Sequence, residues 1–400
     1  MRTVALSFRY LWSRPLTALL NLLLLTLGLA SITFVLLVGE QINRSFERDL
    51  AGIDLVVGAK GSPMQLILAG VFHIDLPPGN IPLEEVEALR AHPQVAQLIP
   101  VSLGDSFRGF RIVGTTPEYL AHYRVDFVQG QVWNAPLEAV VGAQVARSTG
   151  LRTGDSFGGT HGLAGGGEAH GDHPYRVTGV LVACGCALDR LVITSTESVW
   201  QVHEKEMATD EEDRKALEAE REVTLALVRY NTPLAAVTLP RYVNASTGMQ
   251  AAAPAIEITR LLRMLGVGSN LLRGFAAVLL LTAALSVFIA LWNAVRERRA
   301  DLAMLRMLGA TPTRLLFLLL CEALWLALLA SLLGLAAGHA MASLAGYLLE
   351  AQRSLPITGW LWLHEEALIP LAALAVAGVA ALIPALGAYR VDAAHLLNEN

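Results

Sequence analysis

The stretch PLTALLNLLLLTLGLASITFVLLVG, Pro15 to Gly39, decides the fold. It carries no charge, and a bilayer crossing takes about 20 apolar residues as a helix. Arg2, Arg9 and Arg14 precede it, as they would in a secretory leader. A cleavable apolar region is only about 7–15 residues long and closes on small residues, whereas this one ends Val-Gly-Glu. It is therefore read as an uncleaved membrane helix. Three further stretches have the same character. They are 274–295, 315–349 (interrupted only by Glu322) and 367–389, whose Pro370 and Pro384 are tolerable where neighbouring helices re-satisfy the backbone. An acid inside a span, as Glu322 is, draws attention to function.

Composition agrees. Of 400 residues, 54% are hydrophobic and 16% charged, with a mean hydropathy of +0.48. A soluble domain carries about 25% charge. Three cysteines exclude a disulfide-dense scaffold. A net charge of −5 and a pI near 6.1 exclude the basic face that nucleic acid demands.

The basic flanks set an orientation. Three arginines precede the first span. The loop between the second and third holds Arg296, Arg298, Arg299, Arg306 and Arg314, and the next loop is acidic, with Glu350, Glu365 and Glu366 against Arg353. The expected order is a cytoplasmic N-terminus with the first span (1–39), an external domain (40–273), the second span (274–295) and a cytoplasmic loop (296–314). The third span (315–349), a short external loop (350–366), the fourth span (367–389) and a cytoplasmic tail (390–400) follow. The fold class is thus an α-helical membrane protein with four transmembrane helices, and a large α+β extracytoplasmic domain inserted between helices one and two. In a Gram-negative cell this is an inner-membrane, multi-pass protein with both termini cytoplasmic and a periplasmic domain.

Within the external domain, Val95–Val101, Phe110–Val113, Ala139–Val141, Tyr175–Ala183, Leu191–Thr194 and Val223–Arg229 read as strands bounded by Gly and Pro. Pro82 to Ala91 reads as a helix with acids in its first turn, and Val141–Leu151 as strand, helix and glycine stop. Gln41–Leu50 and Ala255–Arg273 read as stalk helices that prolong the first two spans. The charged run Glu204–Glu222 reads as a solvated helix. Asp54–His73 is apolar and punctuated by glycine. It reads either as a lateral gate for a lipid or lipoprotein, or as the first strand of the domain with a hairpin.

Two groups of residues have metal-binding or redox chemistry. His161, His170 and His173 stand in a glycine-rich run with Glu168 and Asp172, and imidazole with carboxylate can close around Zn²⁺. His73 and His203 are candidate further ligands. The competing reading is a solvated loop that binds nothing. Cys184-Gly-Cys186 would carry a strained bridge if it lay on a strand, where residues two apart share a face. A labile redox pair, metal ligation and plain buried thiols stay open, with buried thiols preferred. His203-Glu-Lys-Glu-Met and His364-Glu-Glu-Ala-Leu fail the His-Glu-x-x-His pattern, and no Gly-x-Ser-x-Gly elbow is present.

The most specific segment is Arg296 to Arg314. At helical spacing Leu302, Leu305 and Leu308 share a face with Met304 beside it and Arg299 and Arg306 on its flanks. Gly309 is a helix stop, and Thr311-Pro312 can begin the next helix. Such a helix lies on lipid or fits a groove on a partner. The run Glu297-Arg-Arg-Ala-Asp-Leu-Ala-Met-Leu-Arg-Met-Leu-Gly-Ala310 resembles the coupling helix of MacB/FtsX-type (type VII, LolC/E-like) ABC transporter permeases. The tail Pro384 to Leu397 is similar to the family's ending, departing from it at Ala393, where the family has Pro. The layout of one span, a large external domain and three spans is also similar.

The resemblance implies a non-catalytic permease subunit that works by mechanotransmission, driven by a separate cytoplasmic ABC ATPase that holds the ATP and Mg²⁺. None of the three lysines follows a glycine, so no P-loop is present here. It also implies a second permease copy, identical or different, a periplasmic or lipoprotein partner, and contact with membrane lipid. The implied coupling residues are Glu297, Arg298, Arg299, Asp301, Leu302, Met304, Leu305, Arg306, Leu308, Gly309 and Ala310. The work is expected to be export or extraction of a lipoprotein, lipid or peptide. The alternative is a zinc-linked periplasmic regulator or sensor acting through the histidine-rich loop.

Overall fold

The computed structural model describes residues 2–13, 15–161, 174–207, 211–260, 263, 309–351 and 357–389, with scattered positions between 274 and 307. The chain divides into two compact units: Met1–Asn43 with Met264–Asn400, and Arg44–Arg263. A short amphipathic helix α1 (Arg2–Leu11) opens the chain, where the sequence suggested only a basic flank. Helix α2 (Pro15–Leu50) then runs unbroken for 36 residues. At 1.5 Å per residue it is about 54 Å long, well beyond the roughly 30 Å hydrocarbon core of a bilayer.

The 44–263 unit is built on one mixed sheet. Its strands are β1 (Leu55–Ala59), β2 (Ile81–Pro82), β3 (Val95–Phe107), β4 (Phe110–Thr115), β5 (Phe127–Gly130), β6 (Glu138–Val141) and β7 (Ser156–Phe157). Then come β8 (Thr160–His161), β9 (Tyr175–Leu181), β10 (Leu191–Ser195), β11 (Glu222–Val223), β12 (Leu225–Tyr230) and β13 (Met249–Ala252). The main path is β13-β1-β12-β3-β4-β10-β6-β9-β5, with β7 on β9 and β8 on β3, while β2 and β11 pair separately. Strand β3 serves two half-sheets. Its first part pairs with β12, Leu98 opposite Val228 and Val101 opposite Leu225. Its second part pairs with β4, Ser102 opposite Gly114, after which the register shifts. The β10–β4 and β6–β9 pairs are parallel and the other main-path pairs antiparallel, which makes this an α+β domain.

Each half has its own core. Leu55, Val57, Val86, Leu89, Leu98, Val228, Leu239 and Met249 fill one, and Phe110, Ile112, Val141, Val145, Phe157, Tyr175 and Val177 the other. Helix α3 (Pro63–Gly70) stands where the sequence suggested a hairpin. Ser62 caps it by accepting from Gln65 N, and Pro63 starts it. Its Leu66 and Ile67, with Leu55 to Val57 before it, are fully buried. The apolar run 54–73 is therefore domain core rather than an open apolar surface. Helix α4 (Leu83–Arg90) has Glu84 and Glu85 in its first turn and Arg90 in its last, which suits the helix dipole. Helices α5 (Pro117–Tyr123), α6 (Ala143–Thr149), α7 (Thr196–Met207), α8 (Glu211–Ala219) and α9 (Ala235–Ser246) follow, and residues 254–260 are helical at the end of the unit.

The helical unit continues with α10 (Pro312–Ala351) and α11 (Leu368–Tyr389). Among the described residues three helices are long and apolar enough to cross a membrane: Ala18–Leu50, Pro312–Leu349 and His364–Ile383. The expected span 274–295 is described only in part. Its described residues are helical, and Phe275, Val278, Leu281, Leu285, Ile289 and Trp292 among them are exposed. Leu25, Leu29, Leu319, Ala323, Ala327 and Ala330 pack with Ile369, Ala373, Ala377 and Ala381, a small-residue seam repeating every fourth position of α11. Small residues let helix backbones approach in lipid, where packing replaces the hydrophobic drive.

Gly334 and Gly338 bring α10 against α2. A Cβ on Gly334 would stand 2.6 Å from Leu29 Cβ, and one on Gly338 would stand 2.5 Å from Thr33 Cβ. At the other end of the unit, Gln41 Oε1 accepts from Thr358 N at 2.8 Å and its Nε2 donates to Thr358 O at 2.9 Å. His339 lies 3.0 Å from Glu366 Oε2 and 2.6 Å from Gly359 O. The sequence treated Glu366 as a surface charge. It is 4% exposed because its carboxylate also accepts from Leu363 N, closing the 357–366 loop on α10. Replacing Gly338 by Val should overpack the α2–α10 contact and cost about 1–3 kcal/mol. Gly378→Ala, where nothing lies within 4 Å, should be harmless. Thermal unfolding in detergent compares the two, and equal melting points would contradict the packing.

Candidate coupling site at the end of helix α2

The last turn of α2 is charged, Arg44-Ser-Phe-Glu-Arg-Asp-Leu50, and its inward face is buried at Ser45, Phe46 and Asp49. Phe46 meets Phe72 edge to face at 4.8 Å. Asp49 is 1% exposed. Its Oδ1 accepts from Ala187 N at 2.9 Å, and its backbone oxygen accepts from the Tyr123 hydroxyl at 3.2 Å. Arg48 donates from Nη1 to Cys184 O at 3.2 Å and to Gly185 O. Four residues on, Asp54 Oδ2 accepts from Tyr230 N at 2.7 Å, so the chain leaving α2 is fixed again as it enters β1.

Three of these contacts, that of Asp49 Oδ1 and both of Arg48, fall on one loop, 184–190, between β9 and β10. It is stiff for its length. Asp189 accepts from Cys184 N at 3.0 Å and from Gly185 N at 2.7 Å. Cys184 and Cys186 are joined by a disulfide with their Cα atoms 5.1 Å apart. This differs from the buried thiols that the sequence favoured. The strain argument assumed a strand, whereas β9 ends at Leu181 and Gly185 has φ +63°, a left-handed conformation that suits glycine. A bridge over so few residues removes little unfolded-chain entropy, about 1.5 kcal/mol by loop closure. Its effect is to shape the loop rather than to staple the fold.

Behind the loop lies a buried polar row. His73 Nε2 and the Tyr119 hydroxyl are 2.9 Å apart, and Tyr119 and Tyr123 meet edge to face at 5.3 Å. His73, at φ +55°, is held well below its usual value of 6.5 by burial, then by the Arg111 and Arg190 charges. Burial also lowers Arg190, opposed by Asp49 and Asp189. It brings Arg111 down to about 10, with Asp75 opposing. Burial raises both tyrosines.

Of the residues singled out by sequence, His73 and the two cysteines are described in full. His73 sits in this row, with Tyr119 as its partner. His170 and His173 lie outside the described residues, as do the side chains of His161 on β8 and His203 on α7. Among the described residues no group of three His, Cys, Asp or Glu could hold a metal ion. Of the coupling segment, Glu297, Arg298, Arg299, Asp301, Leu302, Leu305, Arg306 and Leu308 lie outside the described residues. Met304 is helical and 56% exposed, and Ala310 is half-buried. Gly309 has φ +94°, just before α10 begins at Pro312. Sequence reasoning missed Arg48, Asp49, Tyr123 and Asp189. The only local signal was an Asp following Cys-Gly-Cys at a spacing suited to backbone capping.

The sequence model described as the MacB-like periplasmic core domain matches residues 18–247. That described as the FtsX-like permease C-terminal matches 273–393. The chain belongs to the MacB/FtsX-type family of ABC transporter permeases. Among solved structures it is similar to the periplasmic region of MacB from Actinobacillus actinomycetemcomitans, at 12% identity over 53% of this chain and 95% of that one, with a TM-score of 0.34. It is also similar to the extracellular domain of the noncanonic ABC-type transporter YknZ from Gram-positive bacteria, at 11% identity, 49% and 98% coverage and a TM-score of 0.30. No curated protein matches the chain.

His73 gives the site a pH signature. Below pH 6.5 an unfolded chain takes up a proton that buried His73 refuses. Its contribution is therefore complete above that pH and is lost as pH falls below it. His73→Asn tolerates the left-handed backbone and should flatten the fall in melting temperature between about pH 7 and pH 5. An unchanged slope would contradict the buried neutral state.

Proposed function

We propose that this chain is the membrane subunit of an ABC complex that turns cytoplasmic ATP hydrolysis into movement of an external domain. The observation that carries this reading is α2. It is a single helix from Pro15 to Leu50, apolar through its first part and gripped at its last turn by Arg48 and Asp49. A helix resists bending because its hydrogen bonds must stretch to allow it. A displacement at one end of α2 therefore reaches the other.

In this reading 274–295 is the second of four spans, both termini are cytoplasmic, and the domain between the first two spans lies in the periplasm. The segment 297–310 docks on a separate ATPase that holds ATP and Mg²⁺, and two permease copies make the working unit. The four apolar stretches carry few polar side chains, which favours work on the external side over a hydrophilic pore. Lipoprotein, lipid or peptide extraction or export is the class of work proposed.

The test is co-purification of the full chain in mild detergent with a cytoplasmic ATPase co-expressed from the same source. Leu305→Asp or Leu308→Asp should lose the ATPase, because a charge forced into an apolar socket goes unpaired. A change at an exposed position such as Ser148→Asp should keep it. A complex that survives both leucine changes overturns the docking.

A further inference from the structure

We infer that the Cys184–Cys186 disulfide is a thiol-exchange site that sets how tightly the external domain holds the end of α2. Its consequence for coupling rests on the function proposed above, while its chemistry stands on the loop alone.

The loop presents two carbonyls, Cys184 O and Gly185 O, to one guanidinium, that of Arg48. It presents two amides, Cys184 N and Gly185 N, to one carboxylate, that of Asp189. A third amide, Ala187 N, meets Asp49. Four residues must hold one backbone path for these five bonds to coexist, and the disulfide closes a ring over the middle of that path. Opening the ring returns rotational freedom to three residues, one of them a glycine, whose ordering costs the most entropy. Cys186 is 6% exposed, and Cys184 is only partly buried. The more exposed of the two cysteines is thus the one whose own carbonyl holds Arg48. The sulfur that would leave, on Cys186, belongs to the residue just before Ala187.

The exchange balances with a dithiol reductant. One of its thiolates attacks Cys184 Sγ, the Sγ–Sγ bond breaks, and Cys186 leaves as a thiolate that takes a proton from solvent. The second thiol of the reductant then displaces Cys184. The protein gains two electrons and two protons, and the reductant closes to its own disulfide. The oxidised chain holds α2 firmly, and the reduced chain holds it through a loop free to leave Arg48 and Asp49.

The test uses the full chain purified in detergent. Denatured and labelled with maleimide without reductant, it should take one label, at Cys321. After dithiothreitol it should take three. Amide hydrogen exchange is then followed in 44–54, 182–190 and 191–195, oxidised and reduced. Reduction should speed exchange at least tenfold in the first two segments and leave 191–195 unchanged. Cys184→Ser should match the reduced chain whether or not dithiothreitol is present, and if that variant fails to fold the reduced wild type decides alone. Three labels without reductant, or unchanged exchange in 44–54 on reduction, would overturn the inference. No readout involves ATP or an ATPase, so failure here leaves the proposed function standing, and loss of ATPase docking leaves this site standing.

Discussion

The structure turns on how a charged helix end is held. Arg48 and Asp49 are adjacent, so they leave α2 in different directions, yet both end on the backbone of one loop. A carboxylate as buried as Asp49 is costly unless it is hydrogen-bonded. Here the loop amide of Ala187, drawn into place by the Asp189 turn and the Cys184–Cys186 ring, supplies the bond. The same loop leads directly into β10, a central strand whose five residues are all buried. The end of α2 is therefore bonded to the loop that feeds the middle of a sheet and not an edge.

The sheet is continuous across both halves. Strand β3 spans both half-sheets through 13 residues, so the two cores share a backbone and cannot separate without breaking its ladder. Thr224 ties the crossing point. Its hydroxyl oxygen accepts from Leu103 N at 2.9 Å, and its own amide donates to Val101 O at 3.0 Å. The helical unit reaches close packing by other means, with glycine on α10 against α2 and alanine every fourth residue on α11.

Much of this was legible in the sequence. The spans at 15–39, 315–349 and 367–389 stand out because long uncharged runs have no competing explanation. The strands around Val95, Phe110, Val177, Val192 and Val228 follow from β-branched alternation. Helix α3 was hidden because Gly58, Gly61 and Gly70 look like hairpin turns, although Ser62-Pro63 carried a helix start. The double role of β3 was hidden because its partners, β4 and β12, lie more than a hundred residues apart in the chain. The disulfide was misjudged by extending β9 past Leu181 to include Ala183. The grip of Arg48 and Asp49 had no local signature, since their partners stand at 184–187. The coupling segment was read from its leucine spacing and its resemblance, and the described residues there, Met304, Met307, Gly309 and Ala310, include none of the leucines of that face.

The central claim is that α2 acts as a rigid link. The decisive measurement inserts Gly-Gly-Ser after Asn43 in the proposed complex of two permease copies with their ATPase and follows, with spin labels on the external domains, any distance change on adding ATP. The account predicts that the insertion leaves ATPase binding and hydrolysis intact and abolishes that change. A change of undiminished size through the flexible insert would contradict it.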